Sequence, residues 1–298
     1  MSTATQTLTN GASKANGATT NGTHGSDYIP RGPVTSQLKF YAPPSDGSKP
    51  FNYVEKAPQD QPQRNFGDAD TPVQINDIRG QESSFTLDNN AFETLTNVAS
   101  AEKDFTDDAH IKKVYYPEVE RLILDNVPGA SRVLLFDHTI RRADPSAPRA
   151  PVTRVHIDQT PGSAEARVRH HLPASEADTL LRGRYRIVNV WRPLNGPVQS
   201  FPLAFADSAT VVDEDLVPIE HRYPDRSGET AGVKHSERQT WYYWSGMTNE
   251  ERLLLKCFDS DEEVGRKGRV PHTAFVDPRT PEGAKGRESI EVRALIFG

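Results

Sequence analysis

The sequence contains a single cysteine, Cys257, among its 298 residues. One thiol excludes a disulfide framework and any zinc or iron–sulfur site built from cysteines alone. Basic residues are in the minority, because 35 Lys and Arg stand against 41 Asp and Glu and give a net charge of −6. A net negative charge does not favour binding to nucleic acid or to an anionic membrane surface. No apolar run approaches the length of a bilayer span, so the sequence also predicts no transmembrane helix.

Several common catalytic motifs are absent. The sequence has no G-x-G-x-x-G, G-x-x-x-x-G-K-[ST], G-x-S-x-G or H-E-x-x-H pattern. The sequence therefore lacks the motifs that usually support four functions: dinucleotide binding, nucleotide-phosphate binding, α/β-hydrolase chemistry and zinc proteolysis. Cys257 lies in a predicted apolar strand, and we interpret it as a buried, inert thiol rather than a nucleophile.

The N-terminal segment differs in composition from the rest of the chain. Residues 1–27 contain no aromatic residue, and this composition cannot bury enough apolar surface to fold. We predict a disordered tail over 1–30 and a single domain over 31–298. The tail shows neither an apolar secretory core nor arginine, so we expect the protein in the cytosol.

The C-terminal half is dominated by strand-like segments. From residue 131 onward, about seven segments rich in Val, Ile, Phe, Tyr and Trp alternate with Pro, Gly and Asp loops. The pattern predicts a mainly β protein with an antiparallel sandwich or barrel core, for which a jelly roll is the leading candidate. Residues 31–130 supply flanking strands and helices. They include a helix within 107–126 and a strand, cap and helix over 84–98.

One strand carries a pair of candidate metal ligands. In Val155–Thr160, apolar and polar residues alternate, so His156 and Asp158 share a face. An imidazole and a carboxylate two residues apart on a strand, with Cα atoms roughly 7 Å apart, are able to converge on a metal. The alternative is a solvent-exposed, hydrogen-bonded pair.

A second histidine completes the set. His272 begins a predicted strand near the C-terminus, and two histidines with one carboxylate form the facial triad of non-haem Fe(II) oxygenases. This triad leaves coordination positions open for a cosubstrate and O2. The rival histidines, which lie in charged or polar segments, are His170, His171, His221 and His235.

The last predicted strand opens with Arg287 and Ser289. Two residues apart on a strand, their side chains project to the same side. A guanidinium and a hydroxyl in this arrangement suit the recognition of a carboxylate.

Four longer segments carry a resemblance to a known family: NVWRPLNGPVQSFPLAFADSATV, WYYWSGMTNEERLLLKCFDSD, PHTAFVDP and RESIEVRALIF. Over about residues 34–298 the chain resembles the fungal Fe(II)/2-oxoglutarate-dependent hydroxylase/desaturase family related to the cephamycin 7α-methoxylation component. The resemblance implies a double-stranded β-helix (jelly-roll, cupin-like) core with flanking helices. It implies Fe(II), 2-oxoglutarate and O2 as cofactors, with His156, Asp158 and His272 holding the iron. The implied reaction is oxidation of a small-molecule secondary metabolite by hydrogen abstraction. It gives hydroxylation, desaturation or ring formation, with release of succinate and CO2.

The resemblance also implies that Arg287, with Ser289, binds the distal carboxylate of 2-oxoglutarate. Many relatives place this arginine about ten residues after the distal histidine, whereas here Arg287 follows His272 by fifteen. Arg293, six residues further along the same strand face, is therefore a rival for this role.

Four further residues are candidates for contacts with the substrate or cosubstrate: Asn189, Trp191, Arg192 and Arg141. An internal ion pair is the alternative for Arg192, and a solvated turn is the alternative for Arg141. Two other functions compete with the oxygenase: a metal-dependent jelly-roll isomerase or 2-oxoglutarate-independent oxidase, and a non-enzymatic binding module. The expected partner is a small molecule, without nucleic acid or membrane, and a homodimer is compatible with the sequence.

Overall fold

A computed structural model describes residues 27–298, apart from the side chains of residues 266 and 267. Most of the tail predicted over residues 1–30 lies outside the described residues. Within them the strands are β1 (Val34–Ala42), β2 (Phe51–Tyr53), β3 (Gly67–Asp77), β4 (Phe92–Leu95), β5 (Arg132–Arg142), β6 (His156–Ile157), β7 (Tyr185–Pro193), β8 (Leu203–Ala206), β9 (Leu216–Arg222), β10 (Ser227–Val233), β11 (Trp241–Tyr243), β12 (Arg252–Asp259), β13 (His272–Ala274) and β14 (Glu288–Phe297). The α-helices are α1 (Leu87–Asn90), α2 (Asp108–Asn126), α3 (Pro161–His171) and α4 (Ala174–Leu180).

The strands form two sheets that pack face to face. A nine-stranded sheet has the order β1-β3-β11-β8-β13-β6-β10-β9-β2, and a five-stranded sheet has the order β4-β12-β7-β14-β5. All neighbouring pairs are antiparallel except β3 with β11 and β2 with β9. Apolar side chains from both sheets, such as Ile157, Ile187 and Leu295, share one buried core. The predicted mainly β, jelly-roll fold is confirmed.

Helix α2 covers the outer face of the five-stranded sheet. The Asp107 side chain accepts a hydrogen bond from the backbone N–H of His110 (2.8 Å) and caps the helix at its N-terminus. One helix face, which includes Ile111, Tyr115 and Ile123, is buried against apolar residues of β7 and β14. The predicted helix is therefore present, and it encloses the sheet on the side away from β6 and β13. Among residues 27–298, no helix is long and apolar enough to cross a membrane.

One local prediction is wrong, and one helix is not predicted. Over 84–98 the sequence predicts a strand, a cap and a helix, but the structure has the short helix α1 first and the strand β4 second. Phe92 begins β4 because it pairs with Leu255 of β12 at the edge of the five-stranded sheet, and this tertiary contact overrides local propensity. Helix α3 is not predicted, although Thr160 and Ser163 form a capping box at its start and Pro161 occupies its first turn.

The packing of α2 generates a stability prediction. Ile123 is fully buried against the sheet, whereas its neighbour Leu124 is 38% exposed. We expect Ile123→Ala to lower the free energy of unfolding by about 2–5 kcal/mol, since it leaves a cavity in a close-packed interface. Leu124→Ala, the matched control, changes it by less than about 0.5 kcal/mol. Urea unfolding of the two variants measures the difference, and equal losses would mean that α2 does not pack through this face.

Candidate metal centre

Three potential metal ligands converge between the two sheets. His156 of β6 and His272 of β13 are direct partners in the antiparallel pairing of these strands. Their ring centroids lie 4.5 Å apart, and His156 Nε2 lies 3.3 Å from Asp158 Oδ1. One ligand atom from each of His156, Asp158 and His272 lies within 4.8 Å of the other two. The tertiary structure therefore brings together the three residues that the sequence singled out.

Backbone carbonyls orient both imidazoles. His156 Nδ1 lies 2.8 Å from the carbonyl oxygen of Arg154, and His272 Nδ1 lies 3.1 Å from that of Val270. Each Nδ1 therefore carries the proton and donates it to a carbonyl, which leaves Nε2 with a free lone pair. Burial, together with the neighbouring His156, lowers the pKa of His272 to about 4, so this ring is neutral at physiological pH. Neutral imidazoles are the form that binds metals.

The Asp158 carboxylate is held by groups from the opposite sheet. Its Oδ2 accepts hydrogen bonds from Asn189 Nδ2 (2.8 Å) and Arg293 Nε (3.0 Å). Burial alone would raise the pKa of Asp158, but the Arg293 guanidinium keeps it well below its usual value. The side chain is thus an anion with Oδ2 occupied and Oδ1 directed toward His156.

The chemistry of this donor set fits a ferrous ion. Two imidazoles and one carboxylate match the ligand types of the facial triad, and each ligand has a neighbour that fixes its orientation. Asp158 is ionised and His272 is neutral, which are the protonation states that metal binding requires of these two ligands.

Arg287 and Ser289 are two buried residues with unused hydrogen-bonding groups. Arg287 lines the pocket that contains His156, Asp158 and His272, and Ser289 follows it at the start of β14. Arg287 Nη1 donates to the carbonyl oxygen of Phe201 (2.8 Å), while Arg287 Nε and Ser289 Oγ have no partner among the described residues. Unpartnered buried polar atoms are costly, and a ligand that accepts or donates a hydrogen bond there offsets this cost. Burial and the nearby Arg141 cation lower the pKa of Arg287 to about 9, which leaves the guanidinium charged at neutral pH.

Arg293 is fully engaged with protein carboxylates. Besides Asp158, it pairs with Asp137 (2.9 Å) and Glu291 (2.7 Å). Its donors are therefore committed to the protein, whereas those of Arg287 are partly free. This difference favours Arg287 over its rival as the group that receives a ligand.

The remaining candidates fall on two faces of β7 and on β5. Asn189 contacts Asp158, and Trp191 lies beneath the Arg287 guanidinium at 5.3 Å. Arg192 projects to the opposite face, where it packs over the rings of Phe105 (5.1 Å) and Tyr115 (5.6 Å). Strand alternation directs Arg192 toward α2, so the structure does not place it in the pocket with the other candidates. Arg141 lines the pocket, as one of its two alternatives predicted.

A second, larger cavity adjoins the metal pocket and shares Asp158 and Arg141 with it. Its volume is about 860 Å3, and its walls come from α3, β9 and β10. The sequence did not reveal these walls, because His221 lies in a polar segment without a clear strand pattern and α3 was not predicted. His221 lies on β9, with Nε2 2.8 Å from Thr230 Oγ1. The capping box at Thr160 is the signal that identifies α3.

Comparisons with known proteins agree with this geometry. A family model described as "Oxidoreductase/YMDC permease-like domain" matches residues 38–297. Hydroxylase/desaturase poxK of Penicillium oxalicum is 35% identical over 302 residues, covering 90% of this chain and 92% of that protein. Fe(II)/2-oxoglutarate-dependent dioxygenase nvfI of Aspergillus novofumigatus is 34% identical over 268 residues, covering 87% of this chain and 95% of that protein.

The solved structures include a similar fold. The iron and alpha-ketoglutarate-dependent endoperoxidase NvfI superposes with a TM-score of 0.80 at 32% identity, covering 90% of this chain and 99% of that chain. Since the relatives at 34–35% identity and the superposed structure each span nearly the full length of this chain, the protein belongs to the fungal Fe(II)/2-oxoglutarate-dependent dioxygenase and hydroxylase/desaturase family.

Proposed function

We propose that His156, Asp158 and His272 hold the Fe(II) of this oxygenase and that Arg287, with Ser289, binds the distal carboxylate of 2-oxoglutarate. The observation that carries the proposal is a preoriented two-histidine, one-carboxylate cluster in a pocket lined by Arg287. Within the part of the chain that the structure describes, Arg287 Nε has no partner, and neither has Oγ of the nearby Ser289. One oxygenase domain over residues 31–298 contains all of these residues.

The protein's own groups prepare the site for its reactants. Arg154 and Val270 accept the Nδ1 protons of the two histidines, so that both Nε2 atoms face one point. Asn189 and Arg293 hold one oxygen of Asp158 and leave the other free for the metal. Bound Fe(II) and 2-oxoglutarate supply the activation of O2 for removal of a substrate hydrogen atom, with succinate and CO2 as coproducts.

The substrate is a small molecule, and we assign it to the cavity of about 860 Å3 beside Asp158. The names of the relatives cover hydroxylation, desaturation and endoperoxide formation. We infer that this chain performs one such oxidation on a fungal secondary metabolite. Kinship with the cephamycin 7α-methoxylation component rests on the sequence motifs and is part of this proposal. A homodimer and a cytosolic location stay predictions.

The two alternative functions that the sequence left open do not account for the polar groups near the pocket. A 2-oxoglutarate-independent oxidase or isomerase, and equally a non-enzymatic binding module, gives no role to Arg287 Nε and Ser289 Oγ, which are buried and have no partner among the residues described. Burying a guanidinium without full pairing is costly, and a ligand that completes the pairing offsets this cost.

The proposed cosubstrate site is tested by Arg287→Ala. Loss of a charge-assisted contact worth roughly 1.5–3 kcal/mol should weaken 2-oxoglutarate binding about 10- to 100-fold. Anaerobic titration with Fe(II) and 2-oxoglutarate, followed by the metal-to-ligand charge-transfer band, measures this affinity. Arg142→Ala is the matched control, because Arg142 pairs with Glu288 (2.8 Å) and does not line the pocket. An unchanged affinity in Arg287→Ala would contradict the assignment, and unchanged turnover as well would favour the 2-oxoglutarate-independent oxidase.

The proposed iron site is tested by His272→Ala. Mutation of a residue that only hydrogen-bonds to a metal ligand typically lowers metal affinity about 10- to 100-fold. Loss of the ligand His272 itself should therefore weaken Fe(II) binding by at least about 100-fold. Anaerobic isothermal titration with Fe(II) measures the change. His235→Ala is the control, since His235 packs against Phe40 (5.1 Å) and not against the cluster. Equal Fe(II) affinity in wild type and His272→Ala would place the metal elsewhere.

A further inference from the structure

The larger cavity has a floor at the metal centre and two walls of different origin. Asp158 and Arg141 form the floor, since they also line the metal pocket. One wall is a face of α3 that includes Gly162 and Arg167, and the other comes from β9, β10 and the turn between them, which carries Arg226. A ligand in this cavity therefore approaches the metal ligands from between α3 and the β9–β10 hairpin.

Several cations of this cavity have no counter-ion. The guanidinium groups of Arg149, Arg167 and Arg226 line the cavity and form no hydrogen bond or ion pair with the residues that the structure describes. Arg141 makes a single hydrogen bond, to the carbonyl oxygen of Ala150 (3.1 Å). Cations without a counter-ion at the wall of a cavity attract a ligand of negative charge.

The carboxylates of the cavity, by contrast, have partners. Glu220 accepts hydrogen bonds from Arg222 (3.0 Å) and Ser227 (3.1 Å). Glu229 accepts a hydrogen bond from the hydroxyl group of Thr160. Asp158 is held by Asn189 and Arg293, as described above. Glu220 and Asp158 are thus paired with cations and Glu229 with a hydroxyl group. The guanidinium groups of Arg149, Arg167 and Arg226, in contrast, have no hydrogen-bond or ion-pair partner among the described residues. This is unexpected in a chain whose net charge is −6.

Aromatic rings hold two of these arginines in place. The Arg167 guanidinium lies over Phe136 at 5.3 Å, and that of Arg226 lies over Tyr223 at 3.8 Å. Stacking through the flat face fixes a guanidinium but leaves its N–H groups free at the edge. Two preoriented forks in one cavity are suited to bind a carboxylate or a related anion.

From this arrangement we propose that the substrate of this oxygenase carries an anionic group, such as a carboxylate, which Arg167 and Arg226 bind in the cavity. Arg149 contributes positive charge at the rim, and the part of the substrate that is oxidised faces Asp158. The inference rests on the proposed function, because it takes the cavity beside the iron ligands as the substrate site.

The test uses two fluorescent probes of similar shape and different charge. 8-Anilinonaphthalene-1-sulfonate carries a permanent anion, and N-phenyl-1-naphthylamine is its neutral counterpart. We expect the Fe(II)-loaded protein to bind the anionic probe. The double variant Arg167→Gln/Arg226→Gln should weaken that binding by about tenfold or more and change the affinity for the neutral probe by less than about twofold. Equal losses for both probes, or no binding of the anionic probe to the wild type, would overturn the proposal.

Two further variants serve as controls for position and charge. A side chain at Gly162 meets no atom within 4 Å of its Cβ position, so Gly162→Leu extends into the cavity and should weaken the binding of both probes. Arg121→Gln removes a positive charge from the exposed surface of α2, away from the cavity, and should change neither affinity. Unchanged binding in Gly162→Leu would place the probes outside the cavity and would also overturn the proposal.

Competition separates the substrate from the cosubstrate, which is itself a dianion. Saturating 2-oxoglutarate should leave the anionic probe bound, because the proposed site of 2-oxoglutarate is at Arg287 and not at the cavity arginines. Displacement of the probe would show that the cavity arginines bind 2-oxoglutarate and would overturn the inference. The charge-transfer band of Fe(II) and 2-oxoglutarate should persist in Arg167→Gln/Arg226→Gln. If the wild type lacks this band, the proposed function fails, whereas a failure confined to the probes affects only the anionic-substrate inference.

Discussion

The pairing of β6 with β13 is the constraint on which the site depends. In this register His156 lies directly opposite His272, and Asp158 follows on the same face of the chain. A slip of one residue would turn one of the imidazoles toward the opposite side of the sheet, since side chains alternate along a strand. The apolar residues on the other face, Val155 and Ile157, are fully buried and oppose such a slip. Core packing thus fixes the geometry of a polar site.

Hydrogen bonds and an ion pair at the candidate metal centre connect the two sheets. Asp158 follows a strand of the nine-stranded sheet, whereas Asn189 and Arg293, which bind its Oδ2, lie on β7 and β14 of the five-stranded sheet. A buried carboxylate is unfavourable unless it is paired and hydrogen-bonded, and both conditions are met here. The same contacts that compensate the burial of Asp158 also direct its free oxygen toward the two histidines. The contacts of Asn189 and Arg293 with Asp158 therefore stabilise the fold and also orient the carboxylate for a metal ion.

The arginines near the two cavities differ in their partners from those that connect elements of the fold. Arg293, Arg184 and Arg279 each pair with a carboxylate inside the protein. Among the described residues, Arg287 Nε in the metal pocket has no partner, and Arg167 in the neighbouring cavity forms no ion pair. A saturated guanidinium supports structure, while an unsaturated one beside a cavity is available for a ligand. This distinction is the basis for assigning 2-oxoglutarate to Arg287 rather than Arg293.

The sequence by itself determined the features that depend on neighbours in the chain. Strand alternation placed His156 and Asp158 on one face, and helical spacing predicted α2. The choice between Arg287 and Arg293, the outward position of Arg192 and the walls of the cavity were decided only by the tertiary structure. The period of a strand or a helix is set by local backbone geometry, which a short segment reveals. Which strands become neighbours, and which buried donors find partners, depends on packing between distant segments, and a single sequence carries no direct record of that packing.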